Sequence, residues 1–162
     1  MADIVDQQTR SRMMSGIRGK NTNPELVVRR ALHAHGFRFR LHSMKVHGRP
    51  DLVLPRHRAV VFVHGCFWHR HAGCRYATSP STRSEFWQAK FEANVARDRD
   101  IRGKLLEDGW RVATVWECAL RKPDQVAIST ALLSDWLRSD EREIEIGDPS
   151  ASAPSRPSSR IG

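Results

Sequence analysis

The sequence predicts a single α/β domain in which helices pack against a mixed sheet. Two apolar patterns alternate along the chain, one with the three-to-four-residue spacing of helices and one with the two-residue spacing of strands. The segments follow the order helix, three strands, a loop rich in Cys and His, long helix, strand, helix. This order is typical of an α/β sandwich. A chain of 162 residues has the size of one domain and can bury a core of its own.

The first half of the chain is expected to supply an arm, a helix and three strands. Residues 1–22 are polar and basic and predict a flexible arm that can order on a DNA backbone. Asn23 and Pro24 are typical of a helix start, and Gly36 ends that helix after His35. Three strands are then predicted from alternating or β-branched residues, at 37–42, 51–54 and 59–63.

The second half is expected to contain two helices and one more strand. Thr82-x-x-Glu85 has the form of a capping box and predicts the start of a long helix that Gly109 closes, with Gly103 as a candidate bend. Residues 110–117 alternate as a strand does, and Pro123 starts a last helix to Leu137. The predicted folded domain therefore spans 23–138, and the Ser/Pro-rich segment 139–162 is predicted to be a disordered tail.

Charge and composition favour a polyanionic partner. The chain has 27 Lys and Arg against 18 Asp and Glu, a net charge of +9 and an isoelectric point near 10.5, as nucleic-acid-binding proteins often do. It has no apolar run long enough for a membrane span and no signal-peptide pattern. We expect a soluble cytoplasmic protein that binds no membrane and is nucleoid-associated when bound to DNA.

Three cysteines and a histidine have the composition of a metal site. An odd cysteine count excludes a complete disulfide framework and leaves metal ligation or free thiols. Cys66, Cys74 and Cys118 with one imidazole form the ligand set of a closed tetrahedral zinc site. Spacing alone does not choose between His69 and His71 as the imidazole, and buried reduced cysteines are the alternative.

A phosphodiester-cleaving site is predicted around Asp51. Its carboxylate suits Mg²⁺, although an acid in a turn after proline is the alternative. His64 ends the next strand on the face that Phe62 also occupies. His69 is the candidate general base, because an imidazole titrates near neutrality.

Two further acids are candidates for the same site. Asp98 is an isolated acid on the apolar stripe of the long helix and could orient His69. Its alternative is a salt bridge to Arg97 or Arg102. Glu25 at the first helix start could hold a metal-bound water, and an acid that complements the helix dipole explains it nearly as well.

Three aromatic residues predict a wedge that stacks into DNA. Phe67 and Trp68 stand in a loop where polar residues are expected, and Trp87 lies in the first turn of the long helix. Aromatic wedges unstack a base step more easily where a mismatch already weakens it. The alternative for Trp87 is packing in the core.

Four motifs resemble those of the very short patch repair (Vsr) DNA mismatch endonucleases. The resemblance covers roughly residues 7–138, and the motifs are Pro50-Asp51, Phe62-x-His64, the run from His64 to His69, and Val115-Trp116-Glu117-Cys118. It implies a restriction-endonuclease-like fold. By the same resemblance Mg²⁺ binds Asp51 and the backbone carbonyl of Val63, and zinc binds His71, which leaves His69 as the base. Phe67, Trp68 and Trp87 would intercalate beside the mismatch.

The resemblance implies an enzyme that nicks double-stranded DNA 5′ of the thymine in a T:G mismatch. Such mismatches arise when 5-methylcytosine deaminates, and other mismatch-repair proteins are candidate partners. We expect a monomer, although the sequence does not fix the oligomeric state. The chain departs from the PD-(D/E)xK pattern, because Phe62-Val63-His64 stands where a second acid and a lysine are usual. The loop from His71 to Cys74 is also one residue longer than usual in the family. The rival interpretations are a zinc-stabilised DNA-binding module without catalysis and a related nuclease with another DNA target.

Overall fold

A five-stranded mixed sheet forms the centre of the protein, in the order β1-β2-β3-β4-β5. The computed structural model describes residues 22–148. The strands are β1 (Arg40–Leu41), β2 (Leu52–Leu54), β3 (Ala59–His64), β4 (Arg111–Trp116) and β5 (Glu143–Ile146). β1, β2 and β3 pair antiparallel, whereas β3, β4 and β5 pair parallel. The predicted mixed α/β architecture is therefore confirmed.

Helices cover both faces of this sheet. They are α1 (Asn23–Ala34), α2 (Ser84–Glu107) and α3 (Pro123–Leu137). Side chains of α1 and α3 share one buried cluster with alternate sheet residues such as Val61 and Val115. Leu105 of α2 packs with the intervening residues Val60 and Val112 on the other face. The period-two alternation of β3 and β4 thus feeds two separate cores.

The start of α1 differs from the prediction by one residue. Thr22, not Asn23, is the N-cap: its hydroxyl accepts a hydrogen bond from the Glu25 backbone N–H, and the Glu25 side chain accepts one from the Thr22 backbone N–H. The helix therefore begins at Asn23 and ends at Ala34. The cause is the Thr22-x-x-Glu25 pattern, which satisfies two backbone donors where Asn23 would satisfy one.

The capping box predicted at Thr82 and Glu85 is wrong. The helix begins at Ser84, after Arg83 in a left-handed conformation (φ 55°), and no side-chain cap is formed there. The left-handed residue separates Thr82 from the first helical turn, so its hydroxyl caps nothing. Gly103 does not end the helix, which runs through it to Glu107.

The prediction of a disordered segment from residue 139 is wrong for its first part. Residues 143–146 form β5, parallel to β4, and Ile146 is buried in the main core. The indole of Trp116 donates a hydrogen bond to Glu145 at 2.7 Å, which fixes β5 to β4. Residues 149–162, and the arm predicted at 1–21, lie outside the described residues.

One edge of the sheet collects the predicted functional residues. The parallel strands β3 and β4 end side by side at the pair His64 and Trp116. Asp51 lies at the same edge, because β2 runs antiparallel to β3 and begins at Leu52. The two metal-ligand candidates Cys66 and Cys118 follow the two parallel strands directly. Within residues 22–148, no helix is both long and apolar enough to cross a bilayer.

Candidate active site and metal cluster

A cleft of about 890 Å³ lies at this edge of the sheet and contains all the residues predicted to be catalytic. Its walls come from the start of α1, the ends of β2 and β3, the loop after β3 and the middle of α2. The five predicted residues that line it are Glu25, Asp51, His64, His69 and Asp98. The sequence placed these residues on five different segments, and the fold brings them to one cavity.

Asp51 is held by the backbone of β3. Its Oδ2 accepts a hydrogen bond from the Val63 N–H at 2.7 Å. Burial of the carboxyl group, reinforced by the nearby charge of Glu25, raises the pKa of Asp51 to about 7 in spite of this hydrogen bond. Because burial and Glu25 disfavour the ionised form of Asp51, a cation beside the carboxylate would stabilise that form.

Glu25 is a buried acid with specific partners and is more than a simple helix-dipole residue. It is only 2% exposed, and its Oε2 lies 2.8 Å from Arg29 Nη2 and 2.7 Å from His42 Nε2. The same histidine nitrogen lies 3.6 Å from Asp51 Oδ1. Glu25, His42 and Asp51 therefore form one cluster whose side-chain ligand atoms lie within 4.8 Å of one another.

Asp98 pairs with His69 across the cleft. His69 Nδ1 lies 2.6 Å from Asp98 Oδ2. The alternative ion pairs are not formed, since Arg102 faces Glu143 at 3.7 Å and Arg97 donates to Asn94. A carboxylate on Nδ1 fixes the tautomer of the ring and leaves Nε2 as the nitrogen able to accept a proton.

His64 packs directly on His69. The two rings are stacked with centroids 3.8 Å apart and planes 4° from parallel, and Trp116 makes an edge-type contact with His64 at 5.3 Å. Burial, and secondarily the neighbouring His69, lowers the pKa of His64 to about 3. His64 is therefore a neutral imidazole at physiological pH, which suits a hydrogen-bonding role better than that of an acid.

The three cysteines meet one histidine in a second cluster beside the cleft. The potential ligand atoms of Cys66, His71, Cys74 and Cys118 all lie within 4.8 Å of one another. His71 Nδ1 is 3.7 Å from Cys66 Sγ and 3.5 Å from Cys118 Sγ. His69 points to Asp98 instead, so the geometry separates the two histidines that spacing could not. The cluster could hold a metal ion.

The surroundings of this cluster suit a metal ligand set. Burial raises the pKa of the Cys66 and Cys118 thiols and lowers that of His71, so the imidazole is neutral and a positive ion would favour the thiolates. The indole of Trp116 stacks on His71 at 4.2 Å. The Asp148 backbone N–H donates to Cys118 Sγ at 3.3 Å.

The three predicted intercalating residues form one aromatic cluster and do not protrude singly. Phe67 contacts Trp68 and Trp87 with ring centroids 5.0 and 5.8 Å apart, and Phe91 supports them from α2. Phe91 is buried, whereas the other three are half-buried. Trp87 is thus not a core residue, and Phe86 beside it is 49% exposed.

Comparison with known proteins identifies the family of the chain. The family model described as DNA mismatch endonuclease Vsr matches residues 2–75. The chain is 49% identical to a type II nicking enzyme, V.XorIIP, of Xanthomonas oryzae pv. oryzae over 74% of this chain and 88% of that relative. The chain belongs to the Vsr family.

Other relatives of this Vsr-family protein carry two kinds of name. The DNA mismatch endonuclease Vsr of Escherichia coli (strain K12) is 42% identical over 85% of this chain and 88% of that relative. The type II nicking enzyme V.NmeAIP of Neisseria meningitidis is 40% identical over 75% and 86%. The family is one of DNA endonucleases, and several relatives are named as nicking enzymes.

Sequence patterns did not reveal several residues that shape the Vsr-family site. Arg70 holds the loop after β3 by donating to the carbonyls of Phe67, Ala77 and Thr78 and by stacking 3.9 Å from the Phe91 ring centroid. Asn94 donates to the Trp68 carbonyl at 3.0 Å. The Asn94–Trp68 contact joins residues 26 positions apart, whereas the Arg70 hydrogen bonds are local, and none of these contacts has a periodic signal. For β5 a signal existed, the alternation of Glu143-Ile144-Glu145-Ile146.

Proposed function

We propose that this Vsr-family endonuclease nicks one strand of double-stranded DNA 5′ of the thymine in a T:G mismatch and so starts very short patch repair. The observation that carries the proposal is the cleft in which Asp51, held against β3, faces the His69–Asp98 pair. A carboxylate for a cation and an oriented imidazole for a proton are what hydrolysis of a phosphodiester requires.

Mg²⁺ is the proposed cation, and the residues present fit it. Asp51 offers a carboxylate whose burial raises its pKa to about 7, and such a carboxylate is more stable beside a cation. Val63 lies beyond the last β2–β3 pair, and its N–H already faces Asp51. Because N–H and C=O of a strand residue face the same side in an antiparallel pair, its carbonyl is available as a second ligand. When bound, Mg²⁺ would neutralise charge that develops on the phosphate.

The His69–Asp98 pair is the proposed base and its positioning acid. Asp98 holds Nδ1, so Nε2 of His69 accepts a proton from the attacking water. The stacked His64 keeps the His69 ring in its plane. Because His64 is neutral, it places no second positive charge beside His69 when His69 is protonated. Glu25 lines the same cleft and would hold water for the cation.

Zinc is the proposed ion of the Cys66, His71, Cys74 and Cys118 cluster. Three buried sulfurs and one imidazole nitrogen match its preferred ligands, and a closed set of four is structural and not catalytic. Cys66 and His71 flank the segment that carries Phe67, Trp68 and His69. Zinc would therefore fix both the base and the aromatic cluster on the sheet.

The T:G preference is proposed from the aromatic cluster and from the relatives. Half-buried Phe67, Trp68 and Trp87 form a preassembled apolar wedge next to the cleft, and a mismatched step is easier to unstack than a paired one. The Escherichia coli relative is named a mismatch endonuclease. We further propose that the chain has the restriction-endonuclease-like fold, with an α/β sandwich that includes β5.

Strand-resolved cleavage tests the proposal. We expect the purified protein to nick only the thymine strand of T:G duplexes, with Mg²⁺ and not with EDTA. Asp51→Ala and His69→Ala should abolish nicking while folding and DNA affinity remain. Asp100→Ala, which alters an exposed acid on α2, is the matched control and should keep wild-type activity.

Two other outcomes would favour different functions. Binding of all duplexes without a nick, in salt-sensitive fashion, would favour a DNA-binding module. Nicking of a matched duplex as fast as of a T:G duplex would favour a nuclease with another target, a possibility that the relatives named as nicking enzymes keep open.

A further inference from the structure

His42 lies behind the two carboxylates of the cleft. Its Nε2 is 2.7 Å from Glu25 Oε2 and 3.6 Å from Asp51 Oδ1. The side chain is only 13% exposed, and whereas Glu25 and Asp51 line the cleft, His42 does not. The imidazole therefore contacts the acids from the protein side, opposite the space that the substrate would occupy.

The backbone at His42 holds the ring in this place. His42 has a positive φ of 46°, which residues with a side chain rarely adopt. Its N–H donates to the Asp51 carbonyl at 3.3 Å, directly after β1. Such a conformation persists where the surrounding structure determines it, and it is common at functional sites.

Glu25 is oriented from two directions as a result. Its Oε2 accepts from both Arg29 and His42, and within residues 22–148 its Oε1 receives only a long 3.5 Å contact from the Thr22 N–H. Oε2 is thus fully engaged, and Oε1 is the oxygen with remaining capacity to accept. The donor nitrogen of His42 is engaged with Glu25 and is not directed at the cleft.

We propose that His42 is a positioning residue of the cation site, which donates its Nε2–H to Glu25 and holds Glu25 and Asp51 at a fixed spacing. It is not a metal ligand. The inference rests on the proposed function, since it assigns the cation site to Asp51. It requires a side chain that places an N–H donor where His42 Nε2 lies.

An amide series tests this requirement. The glutamine amide nitrogen reaches about as far as Nε2 of histidine, whereas that of asparagine is one methylene short. In the zinc-loaded full chain, we expect His42→Asn and His42→Phe to weaken binding of Mg²⁺ and Mn²⁺ by about 10- to 100-fold. His42→Gln should bind close to wild type. His47→Asn, an exposed histidine of the same segment, is the control and should change nothing.

The readouts are titration calorimetry for Mg²⁺ and electron paramagnetic resonance for Mn²⁺, together with the melting midpoint of each variant. Wild-type affinity in both His42→Asn and His42→Phe would overturn the proposal. So would weak binding by His42→Gln with loss of a ¹⁴N coupling to Mn²⁺, because that would make His42 a direct ligand. If His42→Asn does not fold, His42→Phe carries the test. If His42→Asn, His42→Phe and His42→Gln all fail to fold, the role of His42 is merely structural and the proposal is overturned.

The result is separable from that of the proposed function. Wild-type protein that neither binds a divalent cation nor nicks DNA would end the proposed function. Wild-type protein that does both, with His42→Asn equal to it, would end only the role of His42.

Discussion

Burial makes the ionised form of Asp51 unfavourable in the folded protein. The side chain is 21% exposed, and its Oδ2 is bonded to the Val63 N–H, yet desolvation and Glu25 together raise its pKa to about 7. At lower pH a proton competes with any cation for the same oxygens. We therefore expect the apparent affinity for Mg²⁺ to rise about tenfold per pH unit below pH 7 and to level off above it.

A stability measurement on Asp51→Asn checks the same balance. The pKa of Asp51 is the ordinary 3.8 in the unfolded chain and about 7 in the folded protein. As the pH rises between these two values, the unfolded state loses its proton first, so the free energy of unfolding falls. Without divalent cations, Asp51→Asn should be more stable than wild type by about 1 to 4 kcal/mol at pH 8. The difference should vanish near pH 3.5. Urea unfolding at both pH values measures it.

The control for this experiment is Asp100→Asn, since Asp100 is exposed on α2. An Asp51→Asn protein that is less stable than wild type at pH 8, or that differs equally at both pH values, would contradict the assigned cause.

Individual site residues were predictable to different degrees. Asp51 and His64 stand at strand ends, where a period-two pattern indicates their position, and the four-residue cysteine and histidine set has a recognisable composition. Glu25 was ambiguous, because a helix-start acid has a local explanation, and its contact with His42 joins positions 17 apart in the chain. His42 itself gave no signal, since its role depends on a left-handed backbone that the sequence does not show.

At the scale of elements, the loop between β3 and α2 contains half of the predicted functional side chains and little regular structure. Hydrogen bonds from Arg70 and Asn94 hold this loop at several points. The buried cysteine cluster holds it as well. Its order therefore depends on a few specific contacts, and the metal ion is the strongest candidate among them.

Removal of zinc is predicted to uncouple this loop from the sheet. Purified protein should contain one zinc per chain, and a strong chelator or Cys118→Ser should lower the melting midpoint on the order of 10 °C. Nicking should be lost as well, because His69 lies between Cys66 and His71. Elemental analysis and calorimetry measure these effects. Unchanged melting of metal-free protein would refute a structural zinc site.

The aromatic cluster is predicted to act on mismatch preference and not on general DNA affinity. Phe67→Ala with Trp68→Ala removes the two loop rings that face Trp87, so the energy gained by stacking into a weakened base step is lost. Affinity for a T:G duplex should fall about tenfold or more while affinity for a matched duplex stays close to wild type. Equal loss on both duplexes, measured by fluorescence anisotropy, would contradict a wedge role.

The three helices and four of the five strands within residues 22–148 were predictable at this scale, whereas β5 and the starts of α1 and α2 were not. The two caps show why. Thr22-x-x-Glu25 and Thr82-x-x-Glu85 have the same pattern, but only the first forms a capping box. The difference is the left-handed Arg83, a conformation set by the path of the preceding loop and not by local residue preference.

At the scale of the molecule, β5 extends the sheet beyond the limit that composition indicated. Ile146 is 4% exposed and belongs to the core that α1 and α3 share. The Ser/Pro-rich composition of 139–162 predicted a disordered tail, because composition averages over the four alternating residues that pair with β4. The segment also supplies Gly147, where an added Cβ would lie 2.8 Å from the His71 ring.

Ile146→Ala is therefore predicted to destabilise the whole domain. Truncating a buried isoleucine costs about 2 to 5 kcal/mol, because it leaves a cavity. Ile128→Ala is the matched control, since Ile128 is 63% exposed on α3, and it should change the free energy of unfolding by less than about 0.5 kcal/mol. Denaturant unfolding compares the two. Similar values for both variants would mean that β5 adds nothing to the core.

The parallel pairing of β3 with β4 also has a kinetic consequence. The hairpin-like β1–β2–β3 segment contains short-range contacts, but β4 reaches β3 only after residues 65–110 have folded back across the sheet. Long-range parallel pairing is slow to form. We therefore expect the side of the cleft that holds Asp51 to be assembled early in refolding, and the His69–Asp98 contact and the closed thiol cluster to be assembled last. Nuclease activity should then recover more slowly than the bulk helical signal.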